Sequence, residues 1–271
     1  LFSLSISERE CKGKNYFYIG GTIHLLKAED HPLPDEFKVA YKDASEIFFE
    51  TDLVAIQSPA FQARLIAAMT YSDGRNLASE LKPKVYRKLE VFMASRQFPI
   101  AQFSTLRPWG ISLVLSLLEY QRLGMLSEYG VDSYFNSLAL ADKKKTVALE
   151  TPEEQLRFLS SMEGVDPNSG VEYTLRDLKR LPDFVSQMKS SWRSGDLESF
   201  SKSAFITQMK REFPELYENI VSKRNKAWMR QLPSLIDDKD KEFVLVGAMH
   251  LHGEEGLLNL LKKRGFKIEQ L

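Results

Sequence analysis

The chain of 271 residues carries 37 basic and 37 acidic side chains, so its formal net charge is zero. A zero net charge provides no long-range field for nucleic acid, which is therefore not an expected partner. The 43% hydrophobic and 27% charged residues are ordinary for a globular protein, and the length predicts one or two domains. The single cysteine, Cys11, excludes an internal disulfide.

Short apolar segments predict strands, and longer helical patterns lie between them. Strands are expected at 16–19, 46–49, 146–149 and 243–247, with a further edge strand at 265–271. Helices are expected from about Asp35, and at 59–71, 83–97, 108–126, 130–142, 152–163, 170–193, 213–232 and 254–264. Strands that alternate with helices predict an α/β fold with a mixed or mostly parallel central sheet.

The helical segments are too long to be simple crossovers between strands. We therefore predict one domain, 1–271, with a strand-bearing core and a large helical cap over the strand ends. The core is expected at about 15–55, 143–152 and 240–271, and the cap at about 56–142 and 153–235. The cap could open as a lid or provide the face of a homodimer.

The targeting of the chain is left open by its sequence. No apolar stretch approaches the about 20 residues of a membrane span, and no signal peptide is visible. The chain begins at Leu1 without a methionine. One alternative is an exported or membrane-anchored protein, periplasmic or extracellular, whose targeting segment was trimmed from in front of Leu1.

Polar side chains follow four of the predicted strands at the points where these strands end. His24 follows the first strand, Glu50 the second, Glu150 the third and His250 the fourth. Ligands of open α/β sheets bind outside the carboxyl ends of the strands. If the strands are parallel neighbours, two imidazoles and two carboxylates converge on one rim.

Each of these histidines stands three residues after a glycine, Gly21 or Gly247. A glycine at this point permits a positive φ or a close backbone approach, and so lets the next turn swing over the sheet edge. Two imidazoles and a carboxylate with an open position for water are the ligand set of a catalytic divalent metal site. We predict that His24, His250 and Glu50 bind the metal, with Glu50 alternatively acting as general base.

A further polar group lies in "KRNKAWMRQL" at 223–232. Arg224 and Asn225 are predicted to orient a substrate carbonyl or to stabilise its oxyanion. Glu150, Trp228 and His252 are predicted to contribute to substrate binding. Simpler interpretations stay open, with Trp228 in the core, Arg224 and His252 solvated, and Glu150 as a favourable charge at a helix N-terminus.

Two other polar residues are predicted to be structural. Asp132, in "YGVDSYF", is expected to hold the N-terminus of a helix. His31, directly before a proline, is expected in a loop.

Six segments together form a pattern typical of a known family. In chain order they are "GGTIHLL", "FFETDL", "YGVDSYF", "ALETPEEQL", "KRNKAWM" and "VGAMHLHGEEGLLNLLKKRGF". With them the chain resembles the TraB/GumN family, which includes the Tiki metalloproteases. The resemblance covers about residues 15–268 and is most specific at the two Gly-x-x-His turns.

The resemblance implies an α/β core with a helical insertion, similar to the erythromycin-esterase and ChaN-like groups, and a divalent metal site. Tiki members are metal-dependent proteases, supported by manganese or cobalt, that clip secreted signalling proteins near their amino termini. By this resemblance His24 and His250 match the motif histidines, and Glu50 matches the acidic position after the second strand. Arg224 and Asn225 match the polar pair on the late helix.

The leading hypothesis is a metal-dependent hydrolase, a Tiki-like metallopeptidase that acts on a peptide or protein. Its cofactor would be a divalent metal, manganese or cobalt, with zinc as the alternative. Two other functions stay open. One is a non-catalytic, ChaN-like protein that binds haem or peptide, and the other is an esterase for small esters that uses His24 or His250 as general base without a metal.

Overall fold

The computed structural model describes residues 1–6, 15–237 and 240–271, and Cys11 lies outside these ranges. It confirms the α/β fold with a mixed central sheet of six strands in the order β4-β3-β5-β2-β1-β6. The strands are β1 (Phe2–Ile6), β2 (Tyr16–Thr22), β3 (Glu46–Phe49), β4 (Lys145–Ala148), β5 (Glu242–Gly247) and β6 (Phe266–Gln270). Strands β4, β3, β5 and β2 are parallel neighbours, whereas β1 is antiparallel to both β2 and β6.

The strands predicted from the sequence are present, with two differences. Strand β2 continues through both glycines to Thr22, because Gly21 and Thr22 pair with Val246 and Gly247 of β5. The N-terminal strand β1 is absent from the sequence-based prediction, although it lies between β2 and the edge strand β6. Its placement depends on strands at both ends of the chain, which the local sequence of β1 does not show.

Helices occupy most of the remaining described chain. They are α1 (Asp35–Asp43), α2 (Leu53–Ile56), α3 (Pro59–Met69), α4 (Leu77–Glu80), α5 (Pro83–Ser95), α6 (Pro108–Arg122), α7 (Val131–Asp142), α8 (Pro152–Ser160), α9 (Pro167–Arg193), α10 (Leu197–Ser201), α11 (Ala204–Glu212), α12 (Pro214–Tyr217), α13 (Lys223–Trp228) and α14 (Leu257–Lys263). The helix predicted at 213–232 is therefore not continuous. A π-helical segment, Glu218–Ser222, joins α12 to α13.

The sheet is buried on both faces, which explains the nearly continuous apolar runs of its strands. Alternate residues of β2 point to opposite faces, with Tyr18 in one core and Phe17 and Ile19 in the other. Helices α1 and α7 cover the first face through Phe37 and Phe135. Helices α13 and α14 cover the second face through side chains that include Trp228, Leu257 and Leu261.

A separate apolar cluster holds the helical cap together. It joins α4, α5, α6 and α9 through fully buried side chains that include Leu77, Leu89, Met93, Ile111 and Leu115. Within the described part of the chain, no helix is both long enough and apolar enough to cross a bilayer.

Candidate functional site

The parallel strands bring the predicted rim residues to one edge of the sheet. Glu50 directly follows β3, Glu150 follows β4, and His24 and His250 lie in the turns after β2 and β5. Glu50, His24 and His250 lie around the end of β5. A Cβ built on Gly247 would lie 3.2 Å from Glu50 Oε1, 3.4 Å from His24 Nε2 and 3.6 Å from His250 Cδ2. Gly247 thus leaves room for a small space lined by two imidazoles and a carboxylate.

The glycines of the two Gly-x-x-His turns allow neighbouring groups to approach the backbone closely. Gly247 has a φ of −51°, which any residue can adopt. A Cβ on Gly21 would lie 2.9 Å from Leu251 Cδ1 and 3.1 Å from the Cα of Ala248. Glycine at 21 therefore permits the first turn to pack against the second, and this contact fixes the spacing of the two histidines.

His24 is held by a carboxylate from α7. Its Nδ1 lies 2.7 Å from Asp132 Oδ2, and the other oxygen of Asp132 accepts a hydrogen bond from the Thr22 hydroxyl at 2.9 Å. The Asp132 charge raises the pKa of His24 to about 9. The His24 side chain is 61% exposed, so its Nε2 edge is accessible while its Nδ1 edge is fixed.

The expected position of Asp132 at the start of a helix is confirmed, because it lies in the first turn of α7. Its carboxylate, however, binds Thr22 and His24 across the fold. The start of α7 sits directly against the first histidine turn, because a Cβ on Gly130 would overlap the His24 carbonyl. The glycine two residues before Asp132 was a usable signal for this contact.

We expect Asp132→Asn to lower the pKa of His24 from about 9 toward its ordinary value of 6.5, because the carboxylate charge is the largest cause of the increase. A pH titration of the His24 ring signals by NMR, in metal-free protein, measures this change. Asp183→Asn, which removes an exposed carboxylate from α9, is the matched control and should leave the value near 9. A pKa that stays near 9 in Asp132→Asn contradicts the assignment.

His250 is oriented by Asn225. The Asn225 amide nitrogen donates to the carbonyl oxygens of His250 and Glu255, at 3.1 and 2.8 Å, which leaves its Oδ1 to accept from His250 Nδ1 at 2.7 Å. Nδ1 of His250 therefore carries the proton, and Nε2 presents its lone pair to the site. Burial lowers the pKa of His250 to about 3, so the ring is neutral at physiological pH.

Arg224 connects the two carboxylates at the rim. Its Nη2 donates to Glu50 Oε2 at 2.5 Å and to Glu150 Oε1 at 2.7 Å, and its Nε donates to Glu150 Oε2 at 3.0 Å. Its Nη1 lies 3.3 Å from His250 Nε2 and donates to the Ile220 carbonyl. Arg224 and its three charged or imidazole partners, Glu50, Glu150 and His250, are each buried to at least nine-tenths of their surface.

The two glutamates differ in their electrostatics. Burial alone would raise the pKa of Glu50, but the charge of Arg224, the two histidines and a 2.6 Å hydrogen bond from the Gly247 amide hold it well below its ordinary value. Burial raises the pKa of Glu150 above its ordinary value despite the opposing effect of Arg224. One guanidinium therefore serves two carboxylates, of which Glu50 is the more firmly ionised.

Of the predicted substrate-binding residues, Trp228 contacts this network directly, whereas His252 lies near Glu198 of α10. The Trp228 side chain is fully buried, with its Nε1 donating to Glu150 Oε2 at 3.2 Å and its ring 4.6 Å from that of His250. His252 lies near Glu198, whose pKa is lowered by Lys202 and, to a smaller extent, by His252. His31 binds the Tyr129 carbonyl at 2.9 Å.

The donor set fits a divalent cation in its chemistry. Among the described residues, no three His, Cys, Asp or Glu side chains are already grouped closely enough to form a metal cluster. Each imidazole nevertheless has its Nδ1 engaged by a polar partner, Asp132 or Asn225, and such partners orient the histidine ligands of metal sites. His24 and His250 could thus bind a metal through Nε2, with Glu50 as the neighbouring carboxylate.

The chain is similar to a known family and to several known proteins over nearly its whole length. Residues 8–270 match the model of the TraB/PrgY/gumN family. The chain is 26% identical to "Uncharacterized protein YbaP" of Escherichia coli strain K12 over 253 residues, which covers 92% of the chain and 89% of YbaP. It is 23% identical to metalloprotease TIKI2 of Xenopus tropicalis over 302 residues, covering 93% of the chain and 57% of TIKI2. Metalloprotease TIKI1 of Danio rerio is 20% identical over 304 residues, with 93% and 60% covered. No solved structure matches.

Proposed function

The chain belongs to the TraB/PrgY/gumN family, and from this premise we propose that it is a metal-dependent hydrolase that cleaves peptide bonds. The observation that carries the proposal is the convergence of His24, His250 and Glu50 around Gly247. The names of the TIKI1 and TIKI2 relatives, both metalloproteases, support the same chemistry. The chain spans less than two thirds of these two relatives, so their activity is carried over only as a proposal.

His24 and His250 would hold the metal through Nε2. The neutral His250 ring can bind when its Nε2 exchanges Arg224 Nη1, 3.3 Å away, for the metal. Binding at His24 requires loss of the Nε2 proton from the imidazolium form that the Asp132 charge favours. Both oxygens of Glu50 accept hydrogen bonds, from Arg224 and from the Gly247 amide, which favours the ionised form that a third ligand requires. When bound, a divalent metal polarises a carbonyl group and lowers the pKa of water.

Arg224 is the proposed stabiliser of negative charge on the substrate. It is the only guanidinium among the described residues that contacts both rim carboxylates and His250. A fixed, buried donor of this kind acts strongly on charge that develops during the reaction, because little water is present to screen it. Asn225 is instead proposed to position His250, since its amide is engaged by His250 and Glu255.

We expect metal-stripped protein to be silent on a mixed fluorogenic peptide library and to regain cleavage when manganese or cobalt is added. Zinc and magnesium are tested in parallel, and His24→Ala is expected to stay silent with every metal. Full cleavage by the metal-free protein would contradict the proposal. Absence of cleavage together with a Soret band on haem titration would favour a haem-binding protein.

One observation favours a second candidate function. The exposed His24 ring with its Nδ1 held by Asp132 is the arrangement of a histidine general base oriented by a carboxylate. An esterase that works through this pair would hydrolyse small chromogenic esters faster than peptides and would retain its rate in the presence of a chelator. The peptidase proposal requires the opposite result.

A further inference from the structure

The helical cap encloses a cavity of about 710 Å³ beside the candidate site. This volume lies within the about 300–1,000 Å³ that is typical of ligand pockets. Its walls come from α6, α9, α11 and α12, and they are mainly apolar, with Trp109, Leu178, Phe184, Met209 and Phe213 among the lining side chains. An apolar cavity of this size is large enough for several side chains of a ligand.

The cavity shares two residues with the segments that carry the site. Met249 lines the cavity and immediately precedes His250. Ile220 also lines the cavity, and its carbonyl accepts a hydrogen bond from Arg224 Nη1 at 3.3 Å. A ligand in the cavity would therefore lie next to the backbone that positions His250 and Arg224.

The wall formed by α9 contains two polar groups one helical turn apart. Tyr173 Oη and Asp177 Oδ2 are buried and have no partner at normal hydrogen-bond distance and angle, although the two side chains interact with each other. The other oxygen of Asp177 lies 3.6 Å from Arg176 Nε, whose side chain is 43% exposed. Burial raises the pKa of Asp177, although Tyr173, Arg176 and Arg180 act in the opposite direction, so these neighbours compensate its charge only in part.

The charges around the cavity have one dominant sign. Among its described lining residues, five are acidic and one, Arg180, is basic. The acidic residues are Glu80, Glu163, Asp166, Asp177 and Asp183. Glu163 is paired with Arg107, and Asp166 caps α9, so Asp177, whose side chain is 19% exposed, is the carboxylate best placed to receive a cation from a ligand.

We propose that the cavity binds a segment of the peptide substrate that has apolar side chains and one lysine or arginine, with the cationic group paired to Asp177. This inference rests on the proposed peptidase function and specifies its substrate class. The apolar lining accounts for the apolar side chains. A hydrocarbon chain would offer Asp177 no partner beyond Tyr173 and the half-exposed Arg176, whereas a basic peptide supplies a cation and further donors to it.

The test measures binding to the full chain by fluorescence anisotropy, without metal, so that no cleavage is required. Two labelled apolar peptides are compared, which differ only in a central arginine or its neutral isostere citrulline. We expect the arginine peptide to bind at least about tenfold more tightly, since buried charge pairs discriminate by this much or more. Asp177→Asn should remove the difference between the peptides, whereas the control Asp183→Asn should retain it.

Equal affinities of the two peptides for the unmodified chain, or a preference that survives in Asp177→Asn, would overturn the inference. The comparison in the unmodified chain stands even if Asp177→Asn fails to fold. Preferential binding of an alkyl ligand such as a fatty acid would show that the cavity takes a lipid instead. The two proposals can fail independently. Loss of metal-restored hydrolysis with a persisting arginine preference contradicts only the peptidase proposal, and hydrolysis without an arginine preference contradicts only the cavity proposal.

Discussion

His250→Ala is expected to reduce metal-restored peptide hydrolysis to the background rate. The change removes a proposed metal ligand, and the loss should exceed the about 10–100-fold effect of altering a residue that only orients a ligand. Asn225→Leu is the variant for that smaller effect, because it removes the Oδ1 acceptor that orients His250 through Nδ1. Initial rates at saturating manganese or cobalt, together with metal affinity by calorimetry, measure both changes.

The control for this prediction is His31→Ala. His31 is outside the rim and binds the Tyr129 carbonyl, so its removal should preserve hydrolysis. His250 is buried, and its loss leaves Asn225 Oδ1 without its partner, which is expected to destabilise the fold by about 1–3 kcal/mol. Circular dichroism and a urea transition separate this loss of stability from loss of the site. Retained turnover in folded His250→Ala protein would rule out His250 as a metal ligand.

The rim of the site was predictable because each part of it has a local signal. Short apolar strands followed by Glu50, Glu150 or a Gly-x-x-His turn indicate parallel strands with polar residues at their carboxyl ends. The strand order β4-β3-β5-β2 then places these residues side by side. The prediction and the structure agree here because strands that are apolar on both faces must lie in the centre of a sheet covered by helices on both sides.

The contacts that orient the rim were not predictable in the same way. Asp132 lies 108 residues from its partner His24, and its position at the start of a helix suggests a local role. The helical pattern of polar and apolar residues places Arg224 on a solvated face, yet Arg224 is 9% exposed and binds two glutamates. Local periodicity predicts which residues form a helix, whereas such ion pairs depend on how distant elements pack.

The interruption of the late helix shows the same limit. The sequence at 213–232 has a helical pattern, but the structure inserts the π-helical segment Glu218–Ser222 before α13. Such segments are frequent at functional sites. The segment contains Ile220, whose carbonyl binds Arg224 and whose side chain lines the cavity. The change in helical geometry thus occurs where the site and the cavity meet.

Arg224→Met is expected to destabilise the fold by about 3–5 kcal/mol at neutral pH, the effect of breaking a buried ion pair by removing one partner. Methionine replaces the unbranched stem of the arginine side chain but not its charge, so Glu50 and Glu150 stay buried without their guanidinium. Arg64→Met is the matched control, because Arg64 pairs with Glu153 at 2.6 Å with both side chains at least half exposed. Its expected cost is below about 1 kcal/mol. Urea unfolding of the metal-free proteins measures both changes.

The pH dependence of this loss identifies the partner. The pKa of Glu50 is lowered in the folded protein, so its contribution to stability is complete above its ordinary pKa of 4.5 and declines as the pH falls further. Without Arg224 this contribution is largely absent, and the difference in unfolding free energy between Arg224→Met and the unmodified chain should narrow in acid.

Glu150 has a raised pKa and acts in the opposite direction, so adding Glu150→Gln to Arg224→Met should recover part of the stability. A constant difference across this pH range would show that Arg224 stabilises the fold through packing and not through the charge of Glu50.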